Sequence, residues 1–373
     1  MNIQTPTQLL GGISPELFMQ KHWQKKPLLI RAAVPGMQPL VSRDVLFARA
    51  ADEAVESRLV KQKNGAWSFK HGPIAKPPSL KRPDWTLLVQ GVDALDDGVH
   101  ALLQQFRFVP DARLDDLMIS YASKGGGVGP HFDSYDVFLL QAHGRRRWRI
   151  GAQKDLSLRE DVPMKILANF APTQEFDLEP GDMLYLPPRY AHDGVALDDD
   201  CQTYSIGFRA PSADELAREL MHRIADEVEA AKLYADRTQT ATTQPGLIPP
   251  DLQAFASKAL ADALKDGILI QQILGEYLTE PKQTVYFDTP AKVSKRPPKL
   301  QAVHLDRRSR MMYDTKHVYL NGDSWKVAGA DARLLRRLAD HRCLSAADLV
   351  AASAQLKLAL SQFIEQGWLH ATH

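Results

Sequence analysis

Three residues in the middle of the chain have the types and spacing for metal chemistry. His131 and Asp133 stand two apart in the segment Lys124-Gly-Gly-Gly-Val-Gly-Pro-His131-Phe-Asp133. On an extended strand, residues i and i+2 point to one face, so an imidazole nitrogen and a carboxylate oxygen converge there. A second imidazole, His192, closes the segment Glu179-Pro-Gly181-Asp182-Met-Leu-Tyr-Leu-Pro187-Pro188-Arg-Tyr-Ala-His192. In that segment Gly181-Asp182 reads as a turn, Met183–Leu186 as a strand and Pro187-Pro188 as its end. Two histidines and one carboxylate are the facial set that holds non-haem Fe(II). Such a set leaves positions open for a bidentate cosubstrate and for O2, whereas a structural zinc site is closed by four protein ligands.

Spacing alone is a weak signal. With 12 histidines in the chain, roughly one His-x-Asp is expected by chance. A second one exists, His304-Leu305-Asp306. No Gly-Asp-strand-Pro-Pro-His element follows it, and it reads as surface polarity. The glycine run before His131 and the element ending at His192 set the first motif apart.

The elements that must position these residues fall into three zones. Up to about residue 210 the chain carries short strand-like runs: Pro27–Ile30, Thr86–Gln90, Leu117–Tyr121, Asp136–Gln141, Arg147–Gly151 and Met183–Leu186. Many are separated by Gly and Pro, which suggests a sandwich or barrel. At Pro211-Ser212 the period changes. Ser212 with Glu215 forms a capping box, and Leu216, Leu220, Ile224, Val228 and Leu233 recur at near-helical spacing. Asp251–Leu278 reads as further helix. The apolar stripe of these helices must be covered, either by the barrel itself or by a dimer partner. Glu280–Lys299 reads as a Pro- and Lys-rich linker.

The last zone begins near 300. His317–Leu320 and Trp325–Val327 flank Asn321-Gly322-Asp323, a hairpin turn. Three short helices follow, at Asp331–Asp340, Ser345–Ala352 and Ala354–Gln366, and Gly367 is placed to stop the last. This set resembles a winged-helix module. Its candidate recognition helix, Gln355–Gln366, carries one Lys and one Glu, too few cations for a reader of DNA phosphates. A structural or protein-contact role fits better than DNA binding.

Composition narrows the class. Among 373 residues, 46 Lys and Arg balance 45 Asp and Glu, which argues against a nucleic-acid coat, an acidic tail or a polybasic membrane anchor. The two cysteines, Cys201 and Cys343, make neither a disulfide framework nor a Cys-rich zinc site, and they suit a reducing cytoplasm. No apolar run is long enough to span a bilayer. Met1–Gly12 lacks the charged and apolar regions of a secretory leader. A cytoplasmic location is expected.

With these residues in view, the chain resembles the JmjC (cupin) 2-oxoglutarate-dependent oxygenases, and more narrowly the bacterial ribosomal oxygenase family. The resemblance rests on His22-Trp-Gln-Lys-Lys-Pro-Leu, Leu114-Asp-Asp-Leu-Met-Ile-Ser120, Gly125-Gly-Gly-Val-Gly-Pro-His131-Phe-Asp133-Ser-Tyr-Asp-Val-Phe, Gly144-Arg-Arg-Arg-Trp-Arg149 and Tyr204-Ser-Ile-Gly-Phe-Arg-Ala-Pro211. It implies a fold of mainly β plus α. A double-stranded β-helix (jelly-roll) catalytic domain would cover 1–210, a helical dimerisation region with linker 211–292, and a winged-helix domain 293–373. It also implies a homodimer and hydroxylation of an arginine side chain in the large-subunit ribosomal protein L-sixteen.

The resemblance further implies a site. His131, Asp133 and His192 would be catalytic as the Fe(II) ligands, with 2-oxoglutarate and O2 as cosubstrates. The far carboxylate of 2-oxoglutarate needs a cation, and a guanidinium grips a carboxylate with two parallel hydrogen bonds. In the run Arg145-Arg146-Arg147-Trp148-Arg149 only alternate residues face inward. Matching the family motif selects Arg146, with Ser120 as a hydroxyl partner. Many JmjC relatives use Lys there, so the Arg points to the bacterial branch. The remaining arginines would face outward, near ribosomal RNA. From position alone, on the strand that should return after His192, Thr203 and Tyr204 are candidates to line the iron pocket; the family's position matching Thr203 is often Asn, so the resemblance assigns it no role. The glycines at 125–127 and 129 would, by their own lack of a side chain, either let a loop approach the peptide or metal closely or make a plain flexible loop. Asp115 and Asp116 would either meet a target guanidinium or be solvated. His22 and Trp23 read as structural.

Competing readings share parts of this site. A JmjC-type histidine hydroxylase or lysine demethylase would use the same iron ligands, and mass spectrometry of the modified residue separates them. A metal-binding cupin acting as an assembly factor without turnover is a different class, excluded by substrate-coupled succinate release. The residue and carbon attacked and the role of the winged module are not legible in the residues.

Overall fold

The computed structural model describes residues 2–227, 233–237, 240–241, 243–288 and 301–372. Val228 of the expected helical stripe lies outside them. So do residues 289–299 of the expected linker and the boundary placed at 292/293. By internal contacts the chain forms two compact units, Met1–Ala210 with Lys282–Tyr286, and Pro211–Pro281 with Phe287–His373.

The first unit runs α1 (Pro15–Lys21), β1 (Leu28–Ile30), α2 (Arg43–Ala50), β2 (Ser57–Lys63), β3 (Ala66–His71), β4 (Trp85–Val89), α3 (Asp97–Gln104), β5 (Leu114–Ala122), β6 (Val137–His143), β7 (Arg146–Gly151), β8 (Gln174–Leu178), β9 (Met183–Leu186), β10 (Ala191–Ala196) and β11 (Cys201–Phe208). An eight-stranded antiparallel sheet has the order β1-β9-β6-β11-β5-β4-β2-β3, and a three-stranded sheet the order β10-β7-β8. Strands that are adjacent in space but distant in sequence, β6 with β9 and β11 with both β5 and β6, make a jelly-roll.

Strand alternation divides the residues between two cores. On β5, Leu117, Ile119 and Tyr121 join Phe138 and Leu140 of β6 and Tyr204, Ile206 and Phe208 of β11 in the larger apolar cluster. Phe18 of α1, Leu46 of α2 and Leu102 of α3 lie in the same cluster. The opposite face of β6 supplies Val137 and Leu139, which pack with Trp148, Ile150, Leu178, Leu184 and Leu186 in a second cluster between the sheets. Each fully buried Leu, Ile or Phe contributes about 1.5–3 kcal/mol, so both faces of the central strands are held apolar except where the site interrupts them. By the same alternation Asp116, Met118 and Ser120 of β5 share one face, turned away from the larger cluster.

Tyr204 therefore does not line the pocket. It sits in the larger core and its hydroxyl accepts from the N–H groups of Leu40 and Val41. Its neighbour Thr203 has the opposite orientation. Trp23 packs on Tyr185 and Phe208, and His22 stacks on Phe18, the structural roles expected for them.

The second unit begins with α4 (Ala213–Glu227), whose Ser212–Glu215 capping box is formed in both directions. Leu233 lies beyond this helix and is exposed. The helical stretch expected over Asp251–Leu278 is two helices, α5 (Pro250–Ala263) and α6 (Gly267–Thr279). Asp266 divides them, because its carboxylate caps α6 by accepting from the N–H groups of Ile268 and Leu269.

The unit continues with β12 (Ala302–Leu305), β13 (Met311–Tyr313), β14 (His317–Leu320), β15 (Asp323–Lys326), α7 (Gly329–His341), β16 (Cys343–Leu344), α8 (Ala346–Ala351), α9 (Ala354–Glu365) and β17 (Leu369–Thr372). The β14–β15 hairpin turns at Asn321-Gly322, both with positive φ, as a two-residue turn of this kind demands. Gly275 of α6 lies directly against the Tyr319 ring of β14. Of the second His-x-Asp, His304 is exposed as expected but Asp306 is not a surface residue. Asp306 is buried and takes charge-assisted hydrogen bonds from Arg308 and His370, so it is an internal tie of this unit.

Candidate metal centre

His131 lies just before β6 and His192 on β10. The two residues face each other as an antiparallel bridge, and each backbone N–H donates to the other's carbonyl, at 2.9 and 2.8 Å. Their ring centroids are 4.2 Å apart. Asp133 joins them, with its Oδ2 3.6 Å from His192 Nε2. The ligand atoms of the three residues all lie within 4.8 Å of one another. Ligands held about 2 Å from one ion fall in this range.

The local backbone decides which nitrogens are offered. His131 Nδ1 is 2.8 Å from the Gly129 carbonyl, and His192 Nδ1 is 2.9 Å from the Tyr190 carbonyl. A carbonyl only accepts, so each Nδ1 carries the proton and each Nε2 presents its lone pair. Burial, helped by the neighbouring His131, pushes the His192 pKa down to about 4 against the opposing pull of Asp133. The imidazole is neutral at physiological pH, as a metal ligand must be. The Asp133 carbonyl accepts from the Arg189 N–H at 2.7 Å, which ties the second ligand to the turn before β10.

Arg146 faces the same interior as His192. On β10 and β7, His192 pairs with Ile150, Gly194 with Trp148 and Ala196 with Arg146. These six residues share one face, the one carrying Trp148 and Ile150 of the inner core. Arg146 is 3% exposed. Its Nη1 is 3.4 Å from the Gly194 carbonyl, and its guanidinium lies 5.8 Å from the Trp148 ring centre. The guanidinium thus sits at the level of Gly194, one two-residue step, or about 7 Å, from His192. Its Nε and Nη2 are buried without a hydrogen-bond partner. A buried charge left this way is costly unless an anion completes it.

The other arginines of the run point outward and are neutralised: Arg145 by Asp198, Arg147 by Asp177 and Glu175, and Arg149 by Asp193. Ser120 is buried on the inner face of β5. Its hydroxyl donates to the Thr203 carbonyl at 3.3 Å and keeps its lone pairs. Thr203 donates to Gln141 Oε1, whose amide binds the His143 and Gly144 carbonyls, so a closed polar network backs this end of the pocket.

The glycine run makes its close approach to the protein's own backbone. Gly125 N–H donates to the Ala196 carbonyl and Ala196 N–H to the Gly126 carbonyl. A Cβ on Gly127 would stand 2.6 Å from the Gly194 carbonyl oxygen. Only glycine lets this loop lie against β10. The Gly129 carbonyl then orients His131, which is how the run serves the metal ligands.

Two features were not visible in the motifs. Trp148 stands between the Arg146 guanidinium and the His192 ring, 5.8 Å from each. Its inward place follows from that of Arg146, two residues earlier on the strand. The second is Lys282, whose ammonium is 2.7 Å from Asp116 and 3.1 Å from Asp115. Asp116 is buried, so of the two earlier alternatives the solvated one fails for it. Tyr135 lies close by. Although the residue as a whole is 40% exposed, partial desolvation of its hydroxyl raises its pKa, and the charges of Asp133, Asp116 and Asp115 add to that effect.

The donor set suits a hard-to-borderline divalent ion with open positions, and the orphaned Arg146 nitrogens suit the far carboxylate of a short diacid. Comparison with known proteins agrees. Residues 101–216 match the JmjC domain family, and residues 258–370 match the ROXA-like winged helix family. The chain is 35% identical over 266 residues to the ribosomal protein uL16 3-hydroxylase of Escherichia coli, covering 70% of each chain. It is similar to an X-ray structure of E. coli ycfD, with 29% identity, a TM-score of 0.84, and 96% and 98% of the two chains covered. It is also similar to the structure of that ribosomal oxygenase in complex with cobalt and 2-oxoglutarate, at 28% identity and a TM-score of 0.81, covering 96% of this chain and 98% of the other.

Proposed function

The chain belongs to the JmjC ribosomal oxygenase family, and on that premise we propose that it is an Fe(II)- and 2-oxoglutarate-dependent hydroxylase of an arginine side chain in ribosomal protein uL16. The observation that carries this reading is the orphaned Arg146 guanidinium, buried about 7 Å along the strand from a three-residue metal-ligand set. A metal-only cupin has no use for that buried charge.

In this reading His131, Asp133 and His192 hold the iron, while Arg146 and Ser120 hold the far carboxylate of 2-oxoglutarate. Iron with 2-oxoglutarate and O2 supplies the oxidising power, which yields succinate, carbon dioxide and a hydroxylated side chain. The protein contributes geometry. The two Nδ1–carbonyl bonds fix both imidazoles, Arg146 and Trp148 set how far the diacid enters, and the apolar cluster of Leu139, Leu184 and Ile150 keeps water from the inner end. At the outer end, Asp116 and Asp115 give the target guanidinium its anionic partner, beside Tyr135 and Asp133. No general base is required.

The domain reading assigns 1–210 to catalysis, 211–292 to helical dimerisation with linker, and 293–373 to the winged helix. Exposed Leu260, Leu264 and Ile268 on α5, its end and α6 are the apolar surface that a second copy would cover. The molecule works in the cytoplasm, where uL16 is made. Among the described residues no helix is long and apolar enough to cross a membrane. Ribosomal RNA lies near any ribosomal-protein substrate, but the outward arginines are already paired and are poor phosphate ligands.

The test is succinate release by the full chain with Fe(II), 2-oxoglutarate and recombinant uL16. Turnover that depends on uL16 supports the reading. Release that is unaltered by uL16 refutes it.

A further inference from the structure

The catalytic unit holds a cation that the reaction does not use. Lys282 comes from the short segment Lys282–Tyr286 that groups with this unit. Its ammonium bridges Asp116 Oδ2 and Asp115 Oδ1. Asp116 also accepts from Gln90 Nε2 at 2.9 and 3.0 Å, and Gln90 Oε1 is in turn taken by Arg58. The carboxylate is therefore fixed in place, with Lys282 as its one fully charged direct donor among the interactions of the described residues.

The position of this ion pair matters. Asp116 is on the inner face of β5, four residues before Ser120. Gly207, which pairs with Val137 at the start of β6, lies against Asp116. Asp116 is thus at the end of the barrel where His131 and Asp133 lead into β6. Ser120 pairs with Thr203, and Thr203 with Gln141, at the other end of the same strands.

We propose that Lys282 is a resident competitor for the incoming guanidinium: it occupies the carboxylate pair until the substrate arginine displaces it. This rests on the arginine-hydroxylase reading and deepens it. Burial works against the lysine's charge, but Asp116 and Asp115 outweigh it, so the ammonium stays protonated. Three physical points favour exchange. A lysine is a point charge, whereas a guanidinium presents a planar fork that matches a carboxylate. The Lys282 side chain is 39% exposed whereas that of Asp116 is 7% exposed, so the ammonium can withdraw into water but the buried carboxylate it leaves needs a replacement cation, which the guanidinium supplies. A tethered cation also acts at an effective concentration in the millimolar range, so a weak or misplaced cation would not displace it. Lys282 thereby sets a threshold of affinity that a well-fitted arginine passes.

The experiment uses the full chain and recombinant uL16. Lysine labelling with an acetylating reagent, read at Lys282 by mass spectrometry, reports displacement directly in the unmodified protein. We expect Lys282 labelling to rise when uL16 is bound. In parallel, Lys282→Met keeps the apolar stem and removes the charge. A resident that fills the subsite about nine-tenths of the time weakens binding about tenfold, so K282M should bind uL16 more tightly by up to that factor. In a background of Asp116→Asn the gain should vanish. Binding of uL16 with Lys282 labelling unchanged overturns the inference and leaves the hydroxylase reading standing. A K282M protein that folds normally and binds uL16 no better also overturns it. Absence of any uL16 binding overturns the hydroxylase reading and this inference with it.

Discussion

His131 and His192 are joined through their backbones before any metal is considered. Each donates its N–H to the other's carbonyl, at 2.9 and 2.8 Å, in the close geometry of a hydrogen-bonded antiparallel pair. One ligand precedes β6 in the large sheet and the other belongs to β10 in the small sheet. The bridge is therefore where the two sheets are stitched together at the mouth of the barrel. Metal affinity and barrel closure depend on the same contact, so the site is preorganised rather than gathered by the ion.

Arg146 should behave as a binding residue that costs stability when empty. Replacing it with Met removes a buried charge that has two unpartnered nitrogens. The expected result is a requirement for 2-oxoglutarate raised about 10- to 100-fold, the worth of a charged hydrogen-bond pair, with thermal stability of the ligand-free protein equal or higher. Steady-state kinetics and thermal melts with and without 2-oxoglutarate check both parts. A lowered melting temperature together with an unchanged 2-oxoglutarate requirement would assign Arg146 to structure.

Gly194 has no room for a methyl group. A Cβ there would come within 2.6 Å of the Trp148 ring, which lies against both Arg146 and His192. Gly194→Ala should cost about 1–3 kcal/mol of stability through overpacking. It should lower activity beyond that loss by tilting Trp148 into the diacid pocket. Denaturant melts and turnover at saturating cosubstrate separate the two effects.

Asp93 gives a pH signature apart from the metal. It is buried, and its carboxylate accepts from the Leu117 N–H at 2.8 Å. Burial, with the nearby Asp116 charge, raises its pKa to about 7. Between the unfolded value of 3.8 and about 7 the folded protein holds a proton that the unfolded chain has lost. This group's contribution to stability is therefore full below pH 4 and is lost as pH rises through 7. Asp93→Asn, which resembles the protonated acid, should match the wild type near pH 4. It should exceed the wild type at pH 8 by up to about 4 kcal/mol. Chemical denaturation across that range measures the difference, and a gap independent of pH would count against the assignment.

Leu260, Leu264 and Ile268 test the proposed dimer. Charged substitutions at these exposed apolar positions should shift the mass in light scattering from two chains to one, while the melting of the catalytic unit is kept. A wild type that is a single chain at micromolar concentration would refute the dimer.

Much of this site was legible in the residues because its chemistry is local in sequence. His131 and Asp133 stand two apart, and His192 follows a turn–strand–Pro-Pro element that came out as expected, with Met183–Leu186 forming β9. The inward choice of Arg146 required only strand alternation and a family motif. What escaped was decided by distant contacts. Ser57–Lys63 buries only the apolar pair Leu59 and Val60 besides Ser57, and Ala66–His71 is exposed or half-exposed, so neither shows a clear apolar alternation and both are held by pairing, with Trp85–Val89 and with each other. Tyr204 faces the core because its register with Ile119 puts it there. Asp306 is buried because Arg308 and His370 can reach it. Lys282 meets Asp116 across 166 residues of sequence, and no local pattern announces that.

In the proposed function three side chains hold one iron beside a diacid and direct it at a ribosomal arginine. The most direct measurement is the mass of uL16 after incubation with this chain, Fe(II) and 2-oxoglutarate. The expected result is the gain of a single oxygen atom on one arginine, matched by an equal amount of succinate and lost in His131→Ala and Asp133→Ala. An unchanged uL16 mass, or the same gain with His131→Ala, would contradict it.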